Sequence, residues 1–142
     1  MSVSKFDILV IDDDEVDVMN IRRAFKKNNI INRLHVAHNG VEALAMLQGV
    51  GAKILNPLPK IILLDIDMPK MNGFEFLEKI RTNENLRTLN VFILTTSNHD
   101  QDYVNAHKYD IAGYIVKPVV IQDFMASVAS LNLCWQFGEL QI

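Results

Sequence analysis

The chain has 142 residues, of which 49% are hydrophobic and 22% are charged, so a globular domain with a sizeable core is expected. The formal net charge is −3, and the basic residues are scattered except for a cluster on one predicted helix, so we expect no nucleic-acid partner. The sequence has neither a signal-peptide pattern nor an apolar run that spans a bilayer, and its single cysteine, Cys134, excludes an internal disulfide.

Composition and patterning together predict a cytoplasmic protein with no membrane partner. We expect one domain over residues 1–142, with a core of about residues 5–133 and a short C-terminal tail. Within it, short apolar runs alternate with helical patterns, which is typical of βα units around a parallel sheet.

The first predicted strand, residues 8–11, is apolar on both faces, as a strand inside a parallel sheet is. A helix follows with Asp14 as its N-cap, and it ends at Asn28 and Asn29. Its apolar residues at helical spacing are Val18, Ile21 and Phe25. A weaker second strand covers residues 34–37. The turn Asn39-Gly40 then opens a helix with three apolar residues, Val41, Leu44 and Leu47.

Residues 49–59 contain two Gly and two Pro and are predicted to form a long loop. The strongest predicted strand, residues 61–64, follows this loop and ends at Asp65. Pro69 and Gly73 bracket a turn before the next helix. The apolar residues of that helix are Phe74, Leu77 and Ile80.

A fourth strand is predicted over residues 91–94 and runs into Thr95, and a helix with a thin apolar stripe is predicted around residues 103–108. The fifth strand covers residues 111–116, where Gly113 interrupts it and Pro118 ends it. The last helix is indicated by three apolar residues, Phe124, Val128 and Leu131. The pattern therefore predicts five βα units.

Reactive side chains follow four of these predicted strands. Asp12 and Asp13 follow the first strand, Asp65 the third, Thr95 the fourth and Lys117 the fifth. Ligands of an open parallel sheet bind at the carboxyl ends of its strands, so these groups are expected to converge on one pocket. Each residue alone also suits an ordinary role in a cap, turn or strand, and it is the set that predicts a site.

Clustered carboxylates repel each other and need a cation, and Mg²⁺ is the suitable hard divalent ion. The other groups then suit phosphoryl transfer, which depends mainly on positioning and charge neutralisation. Asp65 is the candidate nucleophile that forms an aspartyl-phosphate, while Lys117 and Thr95 are placed to contact the phosphate oxygens.

Four stretches of the sequence resemble response-regulator receiver domains: residues 8–13, 63–73 (LLDIDMPKMNG), 94–97 (LTTS) and 113–118 (GYIVKP). The resemblance implies an α/β, flavodoxin-like (βα)5 fold, a doubly wound parallel sheet of strand order 2-1-3-4-5. It also implies a phosphoacceptor rather than an enzyme, phosphorylated at Asp65 by a sensor histidine kinase or a phosphotransfer protein.

The resemblance further assigns the ligands of Mg²⁺. It implies coordination by Asp13, Asp65 and the backbone carbonyl of Asp67, with Asp12 reached through water. The Asp67 side chain departs from many members of the family, which have a neutral residue there. An additional carboxylate beside the site bears on the lifetime of the phosphoryl group.

In the family, Thr95 and Lys117 would hold the phosphoryl group and the Lys117-Pro118 bond would be cis. Tyr114 matches the aromatic residue that turns inward when Thr95 moves towards the phosphate, as the two parts of a switch. Output would then pass to a downstream protein through the helix around residues 103–108, the fifth strand and the last helix. The sequence leaves open whether this surface also forms a homodimer.

Three features resemble the single-domain regulators that serve bacterial phytochromes, namely the long loop over residues 49–59, the LTTS sequence and Trp135. Trp135 equally suits a helix-end anchor in the core, and the loop equally suits a simple insertion.

Two rival functions fit parts of the same pattern. Asp65-Ile-Asp67 is a DxD at a strand end, as in haloacid-dehalogenase-type phosphatases, but Pro69 and the early position of Asp12-Asp13 argue against that family. A flavin-binding or degenerate interaction module of the same fold is the second rival. An acidic loop after the first strand argues against flavin phosphate, and the complete set of site residues argues against degeneracy.

Overall fold

The fold is a five-stranded parallel sheet of order β2-β1-β3-β4-β5. The structure is a computed structural model, and it describes residues 6–49, 55, 58–65, 73–95, 110–117 and 119–129. The strands are β1 (Ile8–Ile11), β2 (Leu34–Ala37), β3 (Ile61–Asp65), β4 (Asn90–Thr95) and β5 (Gly113–Val116). The described helices are α1 (Glu15–Lys27), α2 (Gly40–Gln48), α3 (Gly73–Arg81) and α4 (Ile121–Ala129). The predicted strand order is therefore confirmed.

The sheet is covered on both faces, which is why its central strands are apolar at every position. Alternate side chains of β1, such as Leu9 and Ile11, join the core under α2 and α3. The intervening residues, such as Ile8 and Val10, join the core under α1 and α4. All four β1 residues have no solvent exposure, so this strand is held by packing on both sides.

Side-chain caps fix where the first two helices begin. The Asp14 side chain accepts a hydrogen bond from the backbone N–H of Val16 at 2.8 Å, which confirms the predicted N-cap of α1. Asn39 caps α2 in the same way by accepting from Glu42 N at 2.8 Å. Helix α2 ends at Gln48 and is capped by Gly49, whose φ of 76° lies in the left-handed region that suits glycine. The α1 cap therefore directs the chain from the end of β1 into its helix.

The structure confirms most of the core residues predicted for α2 and α3 and corrects one of them. Val41 is 52% exposed, and α2 instead buries Gly40, Ala43, Leu44 and Leu47. Phe74 is half-buried and packs against the core under α2 and α3, and Phe76 on the same helix is fully buried. The helix phase relative to the sheet decides which of two nearby apolar residues faces inward, and apolar spacing alone left that phase ambiguous.

The predicted interruption of the fifth strand is also wrong, because Gly113 is the first residue of β5 and pairs with Phe92. A Cβ at position 113 would lie 3.3 Å from the Phe92 ring, so glycine allows this close approach. The segment that precedes it, residues 111–112, is not part of the strand.

Several predicted features lie outside the described residues, namely the helix around residues 103–108, most of the loop over residues 49–59, Leu131 and Trp135. Within the part of the chain that the structure describes, no helix is both long enough and apolar enough to cross a bilayer.

Candidate functional site

The predicted site residues lie at the carboxyl edge of the sheet. Asp12 follows β1, Asp65 is the last residue of β3, Thr95 is the last residue of β4, and Lys117 follows β5. The Asp12 N–H donates to Ala37 O at 3.0 Å, and the Lys117 N–H donates to Thr95 O at 2.8 Å. The backbone of the sheet therefore fixes where these side chains begin.

Three carboxylates meet at this edge, as the sequence predicted. Asp12, Asp13 and Asp65 each offer a carboxylate oxygen, and these atoms all lie within 4.8 Å of one another. Asp12 is fully buried, Asp65 is 8% exposed and Asp13 is exposed. The cluster is thus closed on the sheet side and open on the side of Asp13.

The Lys117 ammonium lies among the same carboxylates. Its Nζ is 3.1 Å from Asp12 Oδ2 and 3.4 Å from Asp65 Oδ2, and its shortest contact within the described part of the chain is a 2.7 Å hydrogen bond donated to Asp17 Oδ2. The Lys117 side chain is only 10% exposed. Sequence reasoning missed Asp17, since an acidic residue in the first turn of a helix is typical of helix starts in general.

Burial dominates the protonation of Asp12. Loss of solvent raises the pKa of Asp12 from 3.8 to about 7, although the Asp14 N–H and the Lys117 charge oppose the rise. Burial lowers the pKa of Lys117, but the Asp17 hydrogen bond and the charges of Asp65 and Asp12 outweigh it, so the net direction is upward. Lys117 is therefore a permanent cation at neutral pH.

The buried carboxylate also has unused capacity to bind a cation. Asp12 Oδ1 accepts from the Asp14 N–H at 2.9 Å. Among the described residues, Asp12 Oδ2 has no hydrogen-bond partner of suitable geometry, although the Lys117 ammonium lies close to it. A buried oxygen of this kind next to two further carboxylates is the donor set that a hard divalent cation prefers. The residues present thus fit Mg²⁺.

The two predicted switch residues lie on neighbouring strands, Thr95 on β4 and Tyr114 on β5. Thr95 is half-buried and pairs with Val116, while Tyr114 is half-buried and pairs with Ile93. Tyr114 packs against the core under α2 and α3. Asp67 and Pro118 lie outside the described residues, so their predicted roles stay predictions.

Comparison with known proteins gives consistent matches over this same region. The model of the response regulator receiver domain family matches residues 8–129. The probable methanogenesis regulatory protein FilR2 of Methanothrix harundinacea is 33% identical over 133 residues, which cover 92% of this chain and 83% of the relative. Response regulator Rcp1 of Synechocystis sp. is 30% identical over 128 residues, which cover 90% of this chain and 87% of Rcp1.

Solved structures agree with these matches. The bacteriophytochrome response regulator RtBRR superposes with a TM-score of 0.83 at 31% identity, covering 95% of this chain and 82% of RtBRR. The Mn²⁺-bound form of Rcp1 superposes with a TM-score of 0.72 at 27% identity, covering 96% of this chain and 99% of Rcp1. The strand order, the acidic cluster and the family match together show that this chain belongs to the response regulator receiver domain family and is homologous to stand-alone response regulators.

Proposed function

We propose that the chain is a stand-alone regulator of a phosphorelay and that Asp65 is its phosphoacceptor. The observation that supports this most directly is that Asp65 lies within reach of two carboxylates, Asp12 and Asp13, and of the Lys117 ammonium. Phosphoryl transfer needs positioning and charge neutralisation more than it needs covalent help from the protein. A nucleophile between a cation site and an ammonium meets both needs.

The transfer follows from the chemistry of a carboxylate nucleophile. An oxygen of Asp65 attacks the phosphorus of the donor, and an O–P bond forms while the P–N bond of a phosphohistidine breaks, with its electron pair leaving on the imidazole nitrogen. Lys117 stabilises the phosphoryl oxygens from the β5 side, and Thr95 donates a hydrogen bond from β4. We propose a sensor histidine kinase or a phosphotransfer protein as the donor.

The residues that would hold Mg²⁺ are Asp13 and Asp65, the backbone carbonyl of Asp67, and Asp12 through water. When bound, this ion supplies the positive charge that offsets the clustered carboxylates and the incoming phosphoryl group. The Mn²⁺ in the solved form of Rcp1, a relative with the same fold, supports a divalent cation here.

We propose that the added charge on Asp65 changes a protein-binding surface. Thr95 would move towards the phosphoryl group, and Tyr114 on the neighbouring strand would turn inward to fill the space that it leaves. The reshaped surface would contact a downstream protein or a second copy of the chain. We propose that the protein acts in the cytoplasm as a single domain, as a phosphoacceptor rather than an enzyme.

The direct test is the intact mass of the protein after incubation with acetyl phosphate and Mg²⁺. One added phosphoryl group is expected, and it should be absent from Asp65→Asn and from a sample that contains a chelator. Asp110→Asn is the matched control, because Asp110 lies at the amino edge of the sheet and its φ of 56° suits asparagine. Equal labelling of Asp65→Asn and the parent would exclude Asp65 as the acceptor.

The number of phosphoryl groups processed by each chain distinguishes a receiver domain from the rival phosphatase. A phosphatase would release p-nitrophenol from p-nitrophenyl phosphate over many turnovers, whereas a receiver domain takes up one phosphoryl group for each chain. Sustained turnover that Asp65→Asn abolishes would favour the phosphatase.

A further inference from the structure

Among the described residues, the Lys117 ammonium makes its shortest contact with a residue that the phosphoacceptor site does not require. Lys117 Nζ donates to Asp17 Oδ2 at 2.7 Å, against 3.1 Å to Asp12 Oδ2 and 3.4 Å to Asp65 Oδ2. An ammonium group has three N–H donors, and here three carboxylates surround it. The ammonium therefore lies closest to α1 and farthest from the proposed acceptor.

Acidic residues are common in the first turn of a helix, but that role alone would leave the Asp17 side chain facing solvent. The first turn of α1 has two acidic residues, Glu15 and Asp17, and both would favour the helix dipole. The Glu15 side chain is 74% exposed and lies 3.1 Å from His38. The Asp17 side chain is 24% exposed and contacts a lysine 100 positions later in the chain. Of these two acids, Asp17 is the one that reaches a described residue of the site.

This contact decides where the positive charge of Lys117 lies. The ammonium already contacts Asp12 and Asp65, the two carboxylates that a divalent cation also needs, and a closer approach would pair it with them more tightly. A lysine and a cation that share acidic ligands compete for them. The hydrogen bond to Asp17 limits that competition, because it keeps the ammonium on the α1 side of the cluster.

We propose that Asp17 is a positioning residue: its hydrogen bond limits how closely the Lys117 ammonium approaches Asp12 and Asp65, which it already contacts, and so leaves these two carboxylates more available to the divalent cation. The inference rests on the cation site of the proposed function, and it assigns a positioning contact to α1. A charge-assisted hydrogen bond of 2.7 Å is among the stronger contacts of its kind. Without this hydrogen bond, the ammonium is expected to move closer to Asp12 and Asp65.

The test compares the Mg²⁺ dissociation constants of four proteins by calorimetry: the parent chain, Asp17→Asn, Lys117→Ala and the double variant. Asp17→Asn should weaken Mg²⁺ binding by at least about threefold, within the usual range of coupling between contacting residues. In the Lys117→Ala background, Asp17→Asn should weaken Mg²⁺ binding less, only by as much as the loss of one distant negative charge does. Glu15→Gln measures that charge effect, because it removes a carboxylate from the same helix turn without a contact to Lys117.

A second readout follows the ammonium itself at fixed pH. The ¹³Cε resonance of Lys117 is assigned through its loss in Lys117→Ala. Its chemical shift should change in Asp17→Asn and stay at the parent value in Glu15→Gln. In Asp17→Glu it should return towards the parent value. A merely structural role of Asp17 would leave this resonance in place while lowering stability.

The outcomes separate this inference from the proposed function. A parent chain that binds no Mg²⁺ would refute the cation site and this inference with it. A parent chain that binds Mg²⁺, with Asp17→Asn and Glu15→Gln weakened equally, would refute the positioning role alone. Equal effects of Asp17→Asn with and without Lys117 would refute it in the same way.

Discussion

Lys117 Nζ lies 3.4 Å from Asp65 Oδ2 although β4 separates the strands that position these two residues. The lysine side chain crosses the end of the intervening strand, so the Lys117 ammonium, positioned by β5, directly contacts the Asp65 carboxylate at the end of β3. A change of charge on Asp65 thus acts on β5 without passing through the core.

Lys117→Ala should bind Mg²⁺ at least as tightly as the parent, because a competing positive charge is gone. The same variant should lose the response of β5, since the lysine is the direct link from Asp65 to that strand. The measurement is the change in amide chemical shifts around Tyr114 on addition of beryllofluoride, a phosphoryl mimic. Lys79→Ala, an exposed lysine on α3, is the control and should respond as the parent does. A parent-like response of Tyr114 in Lys117→Ala would show that another residue couples the site to β5.

Asp13→Ala should abolish labelling by acetyl phosphate while the protein stays folded. Asp13 is exposed, so its truncation should change the free energy of unfolding by no more than about 0.5 kcal/mol. Its carboxylate is nevertheless one of three that form the proposed cation site. Asp123→Ala, an exposed acid on α4, should be labelled normally. Normal labelling of Asp13→Ala at saturating Mg²⁺ would remove Asp13 from the set of metal ligands.

Stability without a metal should fall as the pH rises towards neutrality. Burial raises the pKa of Asp12 to about 7 in the folded protein, above its ordinary value of 3.8. The folded state therefore holds a proton that the unfolded state has released, and the resulting stability is fully present below 3.8 and lost as the pH rises through about 7. Urea unfolding in the presence of a chelator at several pH values measures this slope.

The Asp12→Asn variant should flatten that slope, because asparagine does not titrate. Saturating Mg²⁺ should instead raise the stability of the parent chain most at high pH, since the ion binds the ionised carboxylates of the folded state. A parent slope that is unchanged in Asp12→Asn would assign the titration to another group.

Arg81 should stabilise the opposite edge of the sheet without affecting the site. Its guanidinium donates to three backbone carbonyls, those of Arg87 at 2.9 Å, Leu89 at 3.0 Å and Asp110 at 3.1 Å. Hydrogen bonds to a charged group are worth about 1.5–3 kcal/mol, so Arg81→Ala should lower the free energy of unfolding by about 2 kcal/mol. Urea unfolding tests this, with Arg81→Lys as a control that keeps the charge but loses the planar donor fork. A loss below about 0.5 kcal/mol, typical of surface sites, would contradict it.

The strands and their acidic ends were predictable because burial on two faces leaves a simple signal. The apolar run of β3 and the position of Asp65 after it needed no knowledge of distant contacts. Helix phase was harder to predict, as Val41 shows, because spacing does not decide between two nearby apolar residues. The contact of Asp17 with Lys117 was beyond sequence reasoning, since it depends on how α1 packs beside the end of β5.

The central claim is that Asp65 becomes an aspartyl-phosphate, and borohydride reduction tests it at the level of one residue. The reagent converts an acyl phosphate of aspartate to homoserine, which peptide mass spectrometry locates. After labelling with acetyl phosphate and Mg²⁺, homoserine is expected at position 65 alone and nowhere in the Asp65→Asn protein. Homoserine at Asp12 or Asp13 instead, or labelled protein that resists reduction, would contradict the assignment.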